Sequence, residues 1–241
     1  NLNPGQPKFS GLEIINGHHF PDDWQGRIIT CDFRGNRISS FKVTDSNSGF
    51  ISRKQEDLVT STHGAFRPID VQNGPDGALY VADWYNPIIQ HGEVDFRDPR
   101  RDHTHGRIWR VTYKGRPLVK RPKLVNASVP QLLKQLESPE GWTRQQAKRV
   151  LKERGAEKVL PELTKWVASL KQTDPLVSRH RLEALWMYEA LLNTDAELLA
   201  ELLRSDDSRV RAGATRVLAR NPDTIPEILG TLNRQAVDEN P

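Results

Sequence analysis

Hydrophobic and polar positions follow two different periods along this chain. Before about residue 125, short β-type runs alternate with clusters of Gly, Pro, Asp and Asn, the grammar of strands and tight turns. Arg27–Asp32 and Ile38–Val43 flank Phe33-Arg34-Gly35-Asn36-Arg37 and read as a hairpin. Pro68–Gln72 and Ala78–Trp84 flank Asn73-Gly74-Pro75-Asp76-Gly77, a second hairpin with a stronger turn signal. Gly106–Lys114 alternates, with Trp109, Val111 and Tyr113 on one face, and a further strand is expected near Leu12–Ile15. A long polar loop, about Asn86–His105, separates the second hairpin from the alternating run.

From Ser128 the period becomes 3.6. Stripes begin at Leu132, Ala147, Leu160, Leu182, Leu198, Val210 and Ile225, and predict seven short helices. Prolines 130, 139, 161, 175, 222 and 226 are expected in the breaks or first turns, where a missing N–H costs little. Three helices share one pattern. Arg144, Arg181 and Arg211 each precede a small residue by three positions, namely Ala147, Ala184 and Ala214. A large residue follows four later, at Leu151, Tyr188 and Leu218. Helix pairs repeating at about this length indicate an α-solenoid. The pattern resembles HEAT repeats, the alternative being an ordinary helical bundle. Asp207, one turn before Arg211, fits the acid-then-base order of that repeat.

Charge divides the chain at the same place. Of 35 Lys and Arg and 31 Asp and Glu, residues 1–125 hold 18 and 14, which leaves 17 of each for residues 126–241. The whole excess of +4 therefore lies in the β half. It forms no Lys/Arg block, so a nucleic-acid role rests on basic balance alone and no nucleic-acid partner is expected. There is no run of 18 apolar residues and so no expected membrane span. A single cysteine, Cys31, excludes an internal disulfide framework, a Cys-based zinc cluster and a c-type haem site within these residues. It falls in an apolar strand and is expected to be inert. The chain opens on Asn1 and has its only Met at 187, so it is expected to be a piece of a longer protein.

The run Gly74-Pro75-Asp76-Gly77-Ala78-Leu79-Tyr80-Val81-Ala82-Asp83-Trp84 resembles the blade signature of six-bladed propellers. These include NHL-type proteins and the soluble sugar dehydrogenases that use pyrroloquinoline quinone (PQQ). A wider set joins it: Gly64-Ala65-Phe66-Arg67-Pro68-Ile69-Asp70-Val71, then Trp84 to Asp95, then Asp102-His103-Thr104-His105-Gly106 through Arg110. Followed by HEAT-like helices, this set resembles the large secreted "membrane-bound dehydrogenase" proteins of planctomycetes and verrucomicrobia. The resemblance runs from about Gly11 to Asn221.

The resemblance implies a β plus α multidomain chain. Residues 1–120 would be the C-terminal blades of an incomplete β-propeller, 121–127 a linker, and 128–241 HEAT-like repeats. About two blades are expected, not a closed ring. It also implies an exported protein, periplasmic or at the cell surface, with haem c only outside these residues. In such quinone enzymes basic residues grip the cofactor's carboxylates, and Arg34 and Arg67 stand at matching places. The position two beyond Arg67 is Ile69, where the family has a second Arg. The other reading pairs Arg34 with Asp32 and Arg67 with Asp70. The sequence names no catalytic residue.

The long loop holds Asp95, Asp98, Asp102, His103 and His105. These residue types suit a metal or substrate loop, with calcium the candidate ion, although the spacing is not that of an EF-hand. The alternative is an Arg–Asp network that stiffens the loop. His63 and His91 flank the second hairpin and are further candidates for the same mouth. No Gly-x-Ser-x-Gly and no phosphate-binding Gly-rich loop occurs. Two functions are carried forward. In the first, an oxidoreductase of a sugar or alcohol substrate passes electrons towards a cytochrome. In the second, a non-catalytic module binds a glycan by the blades and a protein partner by the solenoid.

Overall fold

The computed structural model describes residues 7–47, 49–89, 93–222 and 228–240. The chain divides into two compact units, Asn1–Arg121 and Pro122–Pro241. The first is sheet-rich and the second helical.

The first unit holds two antiparallel sheets. One is a meander of β1 (Phe9–Ile14), β2 (Ile28–Asp32), β3 (Arg37–Ser46) and β4 (Gly49–Lys54). The two-residue β5 (Val59–Thr60) pairs with the start of β3, beside Arg37 and Ile38. The other sheet runs β6 (Pro68–Asn73), β7 (Leu79–Asp83) and β8 (Arg107–Val111). Both expected hairpins form, in the registers Ile29 to Ser40 and Val71 to Val81. Strands β4 and β5 were not legible. All but the ends of β4 are exposed, so it carries no inward apolar alternation. No closed ring of strands occurs among the described residues.

One core joins the two sheets. Ile15, Ile29, Cys31, Ile38, Val71, Leu79 and Val81 are all but inaccessible and pack together. Burial pushes the Cys31 thiol up to about 12, in keeping with an inert residue. Strands β1 and β6 lie side by side and run the same way: Gly11 faces Asp70, while Glu13 and Ile14 bond Asn73. Gly11 is required there. Its φ is +56°, and a Cβ would stand 2.7 Å from the Asp70 Cα. His19 braces the end of the unit: its Nε2 accepts from the Tyr113 N–H, so Nδ1 carries the proton and donates to the Pro117 carbonyl.

The second unit contains α1 (Val129–Lys134), α2 (Gly141–Arg154), α3 (Ala156–Ser169), α4 (Val177–Ala190), α5 (Ala196–Leu202), α6 (Ser208–Arg220) and α7 (Ile228–Ala236). Ser128 and Gln131 close a reciprocal capping box on α1. Asp195 caps α5. Ala147, Ala184 and Ala214 are all inaccessible on α2, α4 and α6, and the large residues four positions on are buried too. The sequence repeat is therefore a packing repeat.

One expectation changes. Pro161 sits in the second turn of α3, not in a break or first turn. The apolar stripe Val159, Leu163 and Trp166 carries the helix through the lost hydrogen bond. The Asp207 carboxylate of the acid-then-base order accepts from the Arg209 N–H and caps α6, while Arg211 reaches Asp238. Pro226 lies outside the described residues.

Because Ala184 is wholly inaccessible in the core of the helical unit, Ala184→Leu should overpack that unit. A loss of roughly 1–3 kcal/mol is expected, read as a fall of several degrees in its melting temperature. An unchanged melt would mean that the repeat alanines are not packing positions.

Candidate functional site

Arg67, just before β6, is buried, and each of its guanidinium nitrogens already donates to a backbone carbonyl. Nε bonds the Asn86 carbonyl at 2.9 Å, Nη1 that of Phe33 at 2.8 Å and Nη2 that of Pro87 at 3.3 Å. Burial lowers its pKa, partly offset by Asp83. Arg34 lies exposed in the β2–β3 turn. It meets Arg67 only through its own carbonyl, at 3.5 Å. Asp32 pairs instead with Arg37 at 3.0 Å, and Asp70 accepts from the Val71 N–H. The Arg67 fork does not fit the tricarboxylate of PQQ, because the chain's own carbonyls already fill it.

The long loop is organised by its own carboxylates. Asp95 accepts from the Arg97 N–H, and Asp98 from the Arg100 N–H and twice from its guanidinium. Asp102 accepts from the Thr104 and His105 N–H groups and lies 2.8 Å from His105 Nδ1. Each is an Asx turn that folds the loop on itself. Arg101, buried, donates to the carbonyls of Asp95 and Val94 at 3.0 and 2.9 Å. Among the described residues no three His, Cys, Asp or Glu side chains come together as metal ligands would.

What the fold does bring together surrounds Tyr85. This residue has φ +51°, a left-handed conformation that costs a bulky side chain energy. Buried Asp83 holds it there, accepting from the Tyr85 and Arg67 N–H groups and from the Trp109 indole. His63 stacks on the Tyr85 ring at 5.7 Å and His105 meets it edge-on at 6.0 Å. The Arg107 guanidinium lies 3.6 Å over the same ring. A shallow pocket of about 560 Å³ adjoins, lined by Tyr85, Pro87, Arg101, Asp102, His103 and Thr104 among others. His91 lies outside the described residues. Sequence reasoning placed His63, Asp102, His103 and His105 at one mouth but missed Tyr85, Asp83 and Arg107. The available signal was Asp83 two residues before Tyr85, the spacing of an Asx turn.

In the helical unit a second surface spans α2, α4 and α6. Arg144 and Lys148 of α2 bond the two oxygens of buried Glu183 of α4, at 2.9 and 2.5 Å. Lys148 also lies 4.9 Å from the Trp186 ring, and Arg216 of α6 lies 5.7 Å from it. Arg179, one turn before Glu183, has its pKa lowered by burial and by the nearby Arg144 charge. A groove of about 1030 Å³ begins at Arg179 and Leu182 and continues along α5 to Arg209 and Val210.

Residues 8–115 match a family described as a domain of unknown function, DUF7133. Residues 129–219 match HEAT repeats, so the helical unit is HEAT-like by sequence as well as by packing. No curated protein and no solved structure matches the chain. Among the described residues no helix is long and apolar enough to cross a membrane.

Two outcomes are expected of the β unit. Arg67→Met leaves three loop carbonyls without their donor and should destabilise this unit by about 3 kcal/mol, measured by urea unfolding. A loss below 0.5 kcal/mol would mean the clasp is ornamental. The Asp98 carboxyl is held down to about 2 by its Arg100 bonds, and that of Asp102 to about 2 by the Thr104 N–H and then by His105. Both folded values lie below the ordinary value of about 4, so the turns are at full strength above pH 4 and are released as pH falls towards 2. Carboxyl NMR titrations with midpoints at 4 would contradict this.

Proposed function

We propose that this chain is a non-catalytic binding scaffold, with the HEAT-like helices as the seat of a protein partner. The observation that carries this reading is the α2–α4–α6 face. Three successive repeats supply side chains to one continuous surface, the arrangement by which stacked repeats make extended binding faces. HEAT repeats at residues 129–219 support it.

The β unit is best read as propeller blades. Strands β1 to β4 form a four-stranded meander, β6 to β8 a shorter one, and β1 and β6 run alongside as the inner strands of neighbouring blades do. Its kinship with the sugar-dehydrogenase propellers, and with it export to the periplasm or cell surface, rests on the sequence resemblance. An electron-transfer role finds no support in the Arg67 geometry. The Tyr85 mouth, with its aromatic and hydrogen-bonding groups, is where a small polar ligand such as a glycan would be held.

Two measurements test the reading. The chain mixed with PQQ, calcium, and glucose or ethanol should neither shift the quinone absorbance nor reduce a dye; turnover would restore the dehydrogenase reading. A proximity-labelling enzyme fused to the chain in cells should mark a set of proteins that Arg179→Gln/Arg216→Gln loses. Identical sets from both forms would remove the protein partner from this face.

A further inference from the structure

A bulky residue keeps a left-handed backbone only where its surroundings over-determine it. Tyr85, at φ +51°, is such a residue. Buried Asp83 fixes it, one oxygen accepting from the Tyr85 and Arg67 N–H groups and the other from the Trp109 indole. The strain secures a ring with three nitrogen-bearing side chains within 6.0 Å of its centre: Arg107, His63 and His105. Strain held at a cluster of this kind points to function.

The three side chains offer different chemistry. Arg107 lies 3.6 Å from the centre of the Tyr85 ring and 5.7 Å from that of Trp109, and it is exposed. Among the described residues its guanidinium has no hydrogen bond and no ion pair, so its planar fork is open to a carboxylate. The His63 Nδ1 accepts from the Ala65 N–H at 3.2 Å, so in the neutral ring Nε2 carries the proton and is a second donor. His105 is the converse. Its Nδ1 lies 2.8 Å from the Asp102 carboxylate, which only accepts, so Nδ1 carries the proton and Nε2 keeps its lone pair. Asp102 itself is engaged by the Thr104 and His105 N–H groups. The adjoining pocket of about 560 Å³ has the size of small-ligand sites, and Ala65, Tyr85 and Asp102 stand in its wall.

We infer that the Tyr85 mouth binds a sugar acid, its single carboxylate on Arg107 and His63 and a hydroxyl donating to His105. The inference rests on the glycan reading of this mouth given above and names the charge of the sugar. Two donors without a protein acceptor call for an anion, and one open fork calls for one carboxylate. The lone pair of His105 calls for a hydroxyl in the same ligand. A neutral sugar would leave the Arg107 fork unfilled. A divalent cation fits less well, because His63 presents an N–H where a metal needs a lone pair, and Arg107 would repel it. An acidic peptide brings carboxylates but not the neighbouring hydroxyls.

The test titrates the whole chain with glucuronate, glucose, acetate and a Glu/Asp hexapeptide, following the imidazole signals of His63 and His105 by NMR. Glucuronate should move both signals and bind about tenfold more tightly than glucose or acetate, the effect of one charge-assisted contact. Arg107→Gln should cost glucuronate about tenfold and leave glucose unchanged. Arg107→Lys keeps the charge without the planar fork and should recover only part of the loss. The readout is the ratio of glucuronate to glucose binding within each form, which a partly unfolded sample does not alter. An equal ratio in wild type and Arg107→Gln overturns the inference. So does acetate or the hexapeptide binding as tightly as glucuronate, since the hydroxyl contact would then be idle. If glucose binds as tightly as glucuronate and Tyr85→Ala abolishes both, the glycan mouth stands and the acid falls. If neither sugar binds, the mouth and the inference fall together.

Discussion

A guanidinium has five N–H donors in a rigid fork and keeps its charge at any ordinary pH, so burying it requires several acceptors at once. This chain meets the requirement repeatedly with loop carbonyls. Arg67 ties the β2–β3 turn to the segment after β7. Arg101 gathers the carbonyls of the long loop. In the helical unit Arg144 donates to the carbonyls of Ser138 and Pro139, and Arg211 to those of Ser205 and Asp206. The offsets are identical, six and five residues back, so two repeats close their entry turns in the same way. Each arginine then reaches an acid further along, Glu183 or Asp238. Turn, helix and following repeat are thereby fixed by one side chain.

The middle repeat departs from this rule. Arg181 holds the equivalent register position but pairs with Glu201 of α5. The entry to α4 is instead closed by Asp174, whose carboxylate accepts from the Leu176 N–H. What remains equivalent in all three repeats is the buried alanine. The helical core thus keeps a small residue at the same place in each repeat, and the arginines vary according to which acid the next segment supplies.

Much of this was legible and some could not be. The helix stripes, the two hairpins and the Arg-x-x-Ala repeat follow from side-chain pattern, which the sequence states directly. Arg67 was readable as an arginine needing a partner, but the natural guess was a nearby carboxylate, because every residue offers the same carbonyl and none is marked in the sequence. Asp207 illustrates the same limit: an acid four residues before an arginine is equally a helix cap, and capping was the interaction realised. Pro161 reads as a helix breaker until the stripe Val159, Leu163 and Trp166 is seen to be buried on both sides of it. Tyr85 was missed because a left-handed tyrosine has no composition signal; only Asp83, two residues earlier, announces the turn that holds it.

The placement of charge links structure to function in an unexpected direction. The β unit owns the whole basic excess, and a sequence reading looks there for an anion. Yet Arg67 and Arg101 face carbonyls, while Arg37, Arg100 and Arg110 face Asp32, Asp98 and Asp76. Those charges hold loops and turns. The helical unit is neutral in sum, and its cations too are spent within the unit, Arg144 and Lys148 on Glu183 and Arg211 on Asp238. Net charge sets the distant field, whereas recognition at contact depends on which charges remain without a close partner. By that criterion Arg67 and Arg101, bound to carbonyls, and Arg37, Arg100 and Arg110, bound to carboxylates, add to the distant field of the β unit but not to what it offers at contact.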